Sequence, residues 1–363
     1  MFAKEAMKKS NYKKPKICFS GIGGQAVLEG IMMRNRSRYA LAVRKRDGEI
    51  AVQVHEIHSI MDRHPWMRWP FIRGVFSFVS SLRIGMSTLM ESSKYYEESS
   101  LDEEEARERE AEDDAARAKR EKTENGMLIG TLILSLALAI GLFSFLPVLI
   151  ASPIKNLTDS HFVLALVEGV VRVLIFVGYV WLISFMKDIR RTYMYHGAEH
   201  KCINCIETGL PLNVENVRMS SREHRRCGTS FLLIVMLISI FIFMFIRVDN
   251  IFLRLLSRLL MIPVIASVSF EFLQLAGRSN TRIMYILSRP GMWLQHLTTR
   301  EPDDDQIEVA IAAVEAVFDW RAFLGMEPEE PDKNEPEEPG KSEPEAEVPA
   351  ADAGTDDDSI LEL

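Results

Sequence analysis

The chain has 363 residues and a formal net charge of −8, with four cysteines at positions 18, 202, 205 and 227. That length suffices for one large domain or two ordinary ones, and so few scattered cysteines exclude a disulfide-stapled secreted scaffold. The charge is uneven: residues 327–363 carry fifteen Asp/Glu and two Lys, a net of −13, which leaves the remaining body at +5 and gives no sign of a nucleic-acid partner.

In chain order, the basic start "MFAKEAMKKSNYKKPK" has no apolar stretch within reach, so no signal peptide is expected. "GIGGQA" (21–26) follows the strand-like "KICFS" and fits G-x-G-x-x-A. A dinucleotide fold needs a βαβ unit there, but a hairpin pattern follows, so a tight glycine turn packed against the membrane domain is expected. "YALAVRKRDGEIAVQVHEI" (39–57) alternates apolar and polar residues around Asp47-Gly48 and predicts a β-hairpin. "WMRWPFIRGVFSFVSSLRIGMSTLM" (66–90) predicts an interfacial or re-entrant helix, because a fifth span would put Arg73 and Arg83 in lipid. Residues 97–124 are almost all charged or Ala and predict a solvated helix leading to the first span.

Four apolar runs follow, at 127–150, 162–186, 229–246 and 255–276. Each is long enough to cross a bilayer, and four in one chain make soluble core helices a remote reading. The stretches 107–126, 187–228 and 277–300 hold eighteen Lys/Arg, against three in 151–161 and 247–254. This bias predicts both termini and the 187–228 loop on the cytoplasmic side of the inner membrane, where thiols stay reduced. "PDDDQIEVAIAAVEAVFDWRAF" (302–323) has an acidic first turn and helical periodicity, so it predicts a capped amphipathic helix. The Pro-rich acidic tail lacks the apolar residues to fold and predicts disorder.

The predicted fold class is thus an all-α integral membrane protein with four transmembrane helices and a small cytoplasmic α+β cap that includes a β-hairpin. Residues 1–96 would supply the cap's hairpin and interfacial helix, and 97–126 a charged linker helix. The membrane domain would be 127–298 with its loop 187–228. An amphipathic helix (299–326) and the tail (327–363) would follow.

The chemistry concentrates in "RRTYMYHGAEHKCINCIE" (190–207). His196-Gly197-Ala198-Glu199-His200 fits H-x-x-E-H, the inverted zinc-hydrolase signature. Residues four apart share a helix face, so two imidazoles can converge on one divalent metal, zinc by ligand type, beside Glu199 as general base. Two imidazoles are too few, and "SREHRRCGTSF" (221–231) offers His224 or Cys227 as a third ligand. A rival reading is a structural site of Cys202, Cys205, His224 and Cys227. On a continuous helix Cys202 lies about 160° and Cys205 about 140° around from His200, so the two proposals cannot share a metal. In a third reading the histidines are only hydrogen-bonded.

Glu207 shares the histidine face but lies about 10 Å along the axis, too far for the same ion. Lys201, Arg225 and Arg226 are candidates for an anion, a lipid headgroup or a substrate carboxylate, or only enforce topology. Within the spans, Glu168 and Arg172 read as a self-neutralising i,i+4 pair, and Glu271 needs a cross-helix partner; an ion or proton path is the functional alternative.

The stretches "GIGGQAVLEGIMMR", "FIRG", "EGVVRVLIF", "DIRRTYMYHGAEHK", "RCGTSF", "IPVIASVSFEF" and "PGMWLQHLTTREPDDDQIEVAIAAV" resemble the YqhQ-like family of bacterial integral membrane proteins. That family is of unknown function and is described as predicted metal-dependent enzymes. The resemblance covers roughly residues 20–315. It implies the mixed His site rather than the cysteine site, and implies that Gln25, Glu29 and Arg34 contribute to it. Arg225 stands where the family usually has proline. The functional expectation is a membrane-embedded metal-dependent hydrolase. A non-catalytic scaffold or metal sensor, and an ion-coupled transporter using Glu168, Arg172 and Glu271, are the alternatives. The lipid bilayer is the expected partner; substrate and oligomeric state are not legible.

Overall fold

The computed structural model describes residues 19–57, 61, 64–100, 114–246, 248, 250–278 and 281–326. The expected signal-free start, part of the charged linker and the acidic tail lie outside the described residues.

Four short strands form an antiparallel meander, β1 (Ile22–Val27), β2 (Gly30–Asn35), β3 (Arg38–Arg44) and β4 (Ile50–Glu56), in the order β1-β2-β3-β4. Two-residue turns need positive φ, and Glu29 (φ 49°) and Arg36 (φ 51°) supply it in the first two turns. The β3–β4 hairpin turns through Asp47-Gly48 as expected, with Gly48 at φ 90°. The expectation of a glycine turn at 21–26 is corrected. Only Gly21 is left-handed (φ 76°), and residues 22–27 are an edge strand paired with β2, with no helix after them to receive a phosphate.

Both faces of the sheet are covered. Ile31, Met33 and Ala42 face one core, while Val27, Met32, Leu41 and Val43 face another. The second core is closed by Ile84 and Tyr95 of helix α1 (Ile72–Ser100). That helix also packs closely against a later one: a Cβ on Gly74 would lie 2.9 Å from Ser267 Cα.

After residues 101–113 the chain resumes in α2 (Asp114–Ile140), passes a π-helical turn (Gly141–Phe145) and continues as α3 (Leu146–Ala151). Pro147 has no N–H for the carbonyl four residues earlier, that of Phe143. Arg172 Nε donates to that carbonyl instead, at 2.9 Å. Ser160 caps α4 (His161–Ile183), which a short bend separates from α5 (Lys187–Glu207). Then follow α6 (Val214–Met219), α7 (Gly228–Phe245), α8 (Ile251–Arg278) and α9 (Arg282–Thr298). Asp303 and Gln306 form a capping box on α10 (Asp304–Glu315), and α11 (Trp320–Leu324) ends at left-handed Gly325.

Among the described residues, four helical stretches are long and apolar enough to cross a membrane: Ile129–Ile154, His161–Ile183, Gly228–Phe245 and Phe252–Leu275. They carry an exposed belt of large apolar side chains such as Leu134, Leu174, Phe241 and Leu260, which suggests association with a membrane. Charges in this region are paired across helices. Arg254 (3.3 Å) and Arg258 bind Glu168. The expected i,i+4 pair with Arg172 is therefore corrected: the orphaned Phe143 carbonyl takes Arg172, and two arginines of α8 take the carboxylate. Glu271 finds its cross-helix partner in Arg73, which donates through Nε (2.7 Å) and a terminal nitrogen (2.5 Å).

Helix α5 lies in the first core, where Tyr195, Ala198, Cys202 and Ile206 meet the sheet and Ile307, Ala310 and Val314 of α10. The segment after α9 runs along it, with Arg300 N–H donating to the Tyr193 carbonyl at 2.9 Å. At Gly197 a Cβ would overlap the Arg300 carbonyl oxygen, so only glycine permits this approach. Gly197→Ala is expected to cost about 1–3 kcal/mol through overpacking. Gly178→Ala, whose Cβ would meet nothing within 4 Å, is expected to be harmless. Thermal unfolding in detergent compares them, and equal midpoints for the two variants would contradict the packing.

Candidate metal centre

Helix α5 runs unbroken through the H-x-x-E-H stretch, so His196 and His200 share a face, and both are buried with Glu199. Two backbone segments hold the rings from outside. His196 Nδ1 donates to the Thr298 carbonyl at 2.8 Å, and His200 Nδ1 to the Arg222 carbonyl at 2.6 Å. A carbonyl can only accept, so each Nδ1 carries a proton and each Nε2 is turned inward.

Cys227 meets them. It is the N-cap of α7, and its sulfur accepts from Thr229 N–H at 3.4 Å and lies 3.1 Å from His196 Nε2. One donor atom each from His196, His200 and Cys227 lies within 4.8 Å of the others. His200 Nε2 is buried and has no hydrogen-bond partner among the described residues.

The electrostatics agree with the geometry. Burial alone would lower the His196 pKa, but the adjacent Cys227 and Glu199 outweigh it and raise it to about 9. Burial would raise the Cys227 thiol, yet His196 and His200 pull it well below its ordinary value. Both shifts have one cause: an imidazolium and a thiolate in contact favour each other's charged form. Burial raises the Glu199 carboxyl, opposed by both histidines and by the Gly24 backbone N–H. Gly24 can stand there because it lacks a side chain: a Cβ would lie 3.0 Å from the Glu199 carboxyl carbon.

The other candidates fall around this cluster. His224 is buried but turns to Arg226 (3.2 Å) and Glu207 (3.8 Å), so of the two candidate third ligands Cys227 is the one brought together with the histidine pair. Cys202 and Cys205 lie in the apolar core on the far side of α5. Burial holds the Cys202 thiol well above its ordinary value and pushes Cys205 up to about 12, and neither joins the cluster. The alternative cysteine site is thus not assembled. Glu207 takes the Ser20 N–H (3.0 Å) and hydroxyl (2.7 Å) and pairs with Arg226.

Lys201 is buried and caps the end of α6 through the Arg218 (2.9 Å) and Ser220 (3.0 Å) carbonyls, with Glu301 at 2.9 Å. Glu29 grips Arg191 and the Tyr195 hydroxyl, which anchors the sheet one turn before His196. Gln25 donates to the Gly85 carbonyl at 3.4 Å, and Arg34 stands half-buried on β2. The membrane-region charges Glu168, Arg172 and Glu271 are engaged elsewhere, in the pairs described above.

Sequence reasoning missed the groups that orient the site. Fully buried Gln295 accepts from His224 N–H (2.8 Å) and donates to the His224 carbonyl (2.6 Å) and Ser230 hydroxyl (2.8 Å). It fastens the loop that carries Arg222 and Cys227 to α9. A polar residue inside the apolar pattern of "PGMWLQHLTT" was the available signal; the Thr298 and Arg222 carbonyls had none.

A family model described as "Protein of unknown function (DUF1385)" matches residues 69–320. The uncharacterized protein YqhQ of Bacillus subtilis (strain 168) is 34% identical over 327 residues, spanning 86% of this chain and 96% of that protein. No solved structure matches the chain.

Glu207 gives a pH-dependent prediction. Burial alone would raise its pKa, but His224, Arg226 and the Ser20 donors outweigh this and bring it down to about 2. A carboxylate depressed on folding stabilises above its ordinary pKa, and the contribution is lost as pH falls through the folded value. Glu207→Gln should therefore cost about 2–3 kcal/mol near neutral pH. The gap from wild type should close between about pH 4.5 and pH 2 in denaturation measurements. A gap independent of pH would refute this account.

Proposed function

Since this chain belongs to the DUF1385 family of unknown function, we propose its role from its own donor groups: a divalent-metal centre at the membrane surface that carries out hydrolysis. The observation that carries the reading is the buried His200 Nε2, without a hydrogen-bond partner among the described residues, beside His196 Nε2 and Cys227 Sγ. A lone buried acceptor is costly, and a cation removes the cost. His196, His200 and Cys227 would hold the ion, taking the place of the proton that His196 and Cys227 otherwise share. Two imidazoles and a thiolate suit zinc, and three protein ligands leave one position open, as catalytic zinc sites do.

When bound, such an ion polarises a carbonyl or phosphoryl oxygen and acidifies water. Glu199 takes the proton from the attacking water. Its burial-raised pKa makes it a better base near neutrality than an exposed carboxylate, and the Gly24 N–H holds it in place. The Thr298 and Arg222 carbonyls keep both Nε2 lone pairs facing inward.

Four spans with both termini cytoplasmic would set this centre at the inner-membrane surface, facing a peptide or lipid-derived substrate. A scaffold or sensor with a structural metal is the second reading. The transporter reading has less support, because arginines hold both Glu168 and Glu271 in ion pairs.

Metal analysis of the purified full-length protein tests the proposal. About one equivalent of zinc is expected, lost in His200→Ala and Cys227→Ser and retained in Glu199→Gln. Cobalt substitution should give a thiolate charge-transfer band that Cys227→Ser abolishes. A wild type without stoichiometric metal would overturn the centre. Intact function in Glu199→Gln would leave only the structural role.

A further inference from the structure

A cavity of about 430 Å³ opens between the unpartnered side of β1 and helix α1. Its size is that of a small-ligand site. Gly21, Ile22, Gly23, Gly24 and Gln25 form the wall along β1, so with three glycines much of it is backbone. Three arginines line it, Arg34, Arg36 and Arg226, and no acidic residue does among the described residues. Glu207 balances Arg226, which also stacks over the Phe19 ring at 4.4 Å. Arg34 has no ion-pair partner among the described residues, although it is half-buried and burial lowers its pKa.

The strand register explains why Arg34 has room. Its cross-strand neighbour is Gly23, at which a Cβ would meet nothing within 4 Å. Gly24, next along, faces the other way, toward Met33 and the Glu199 carboxyl. One edge strand thus turns a glycine toward the cavity and the next toward the metal cluster. A half-buried guanidinium held without a counter-charge is costly, and an anion matching its fork of donors relieves that cost.

The apolar lining of Ile22, Met32 and Ile84 asks for a ligand with a nonpolar part beside the anion. The chain leading into α1 and the helix itself expose Trp69, Phe71, Val79 and Leu82, a surface suited to the headgroup region of a bilayer.

We propose that this cavity is an anion-binding site, built around Arg34 and the glycine edge of β1, that takes the phosphate group of a phospholipid of net negative charge or of a soluble phosphate ester. The site stands whether or not the neighbouring centre is catalytic, because none of its arginines is a candidate metal ligand.

The test is thermal unfolding of the full-length protein. One arm uses neutral detergent with and without inorganic phosphate or glycerol phosphate. The other uses phosphatidylcholine nanodiscs with and without phosphatidylglycerol. A stabilising shift in the first arm identifies a soluble phosphate as ligand, and a shift confined to the second identifies a lipid headgroup. Arg34→Gln should weaken the response about tenfold or more in apparent affinity. Gly23→Glu, whose Cβ has open space, is designed to set a carboxylate beside Arg34 and should remove the response while keeping the fold. Arg282→Gln, exposed on α9, should leave it intact. No shift in either arm, or equal shifts in wild type and both cavity variants, would overturn the proposal. Metal content serves as the independent readout: it should be unchanged in Arg34→Gln and Gly23→Glu.

Discussion

The candidate centre depends on two hydrogen bonds that point away from it. Each histidine of α5 gives its Nδ1 proton to a main-chain carbonyl, one from the last residue of α9 and one from the loop before α7. Those bonds fix ring orientation and leave Nε2 inward, toward the sulfur of Cys227. Without them the imidazoles could rotate, and the shared point that makes the cluster would vanish. Around this constraint the rest falls into place: glycine at 197 for close approach, Gln295 to tie down the loop, and the Glu29–Arg191 pair to dock the sheet.

Much of this was legible in the residues. Helical spacing put His196 and His200 on one face and sent Cys202 and Cys205 to the other, because 3.6 residues per turn leaves no choice in an unbroken helix. The long apolar runs marked the four candidate spans, since a bilayer-length stretch has few other uses. The β3–β4 hairpin announced itself through alternation and Asp-Gly.

Other features were hidden for physical reasons. The β1–β2 hairpin turns at Glu29 and β2–β3 at Arg36, residues that seldom adopt positive φ, so no turn signal showed. Glycines in β1 looked like a turn because their real purpose, close approach of Gly24 to the Glu199 carboxyl, depends on a helix 175 residues away. Ion-pair choice was illegible for a similar reason. Glu168 has Arg172 one turn along its own helix, yet a proline at 147 frees a carbonyl that claims this arginine, and Arg258 arrives from α8. Local spacing cannot reveal such competition.

The bond from His196 to the Thr298 carbonyl joins residues 102 positions apart, with α6, α7, α8 and all of α9 but its last residue between them. During synthesis, the ring's acceptor does not exist until that whole stretch has been made. Assembly of this centre is therefore a late event in the life of the nascent chain. A truncated product ending before α9 would carry both imidazoles and the thiol but lack the carbonyl that aims one of them.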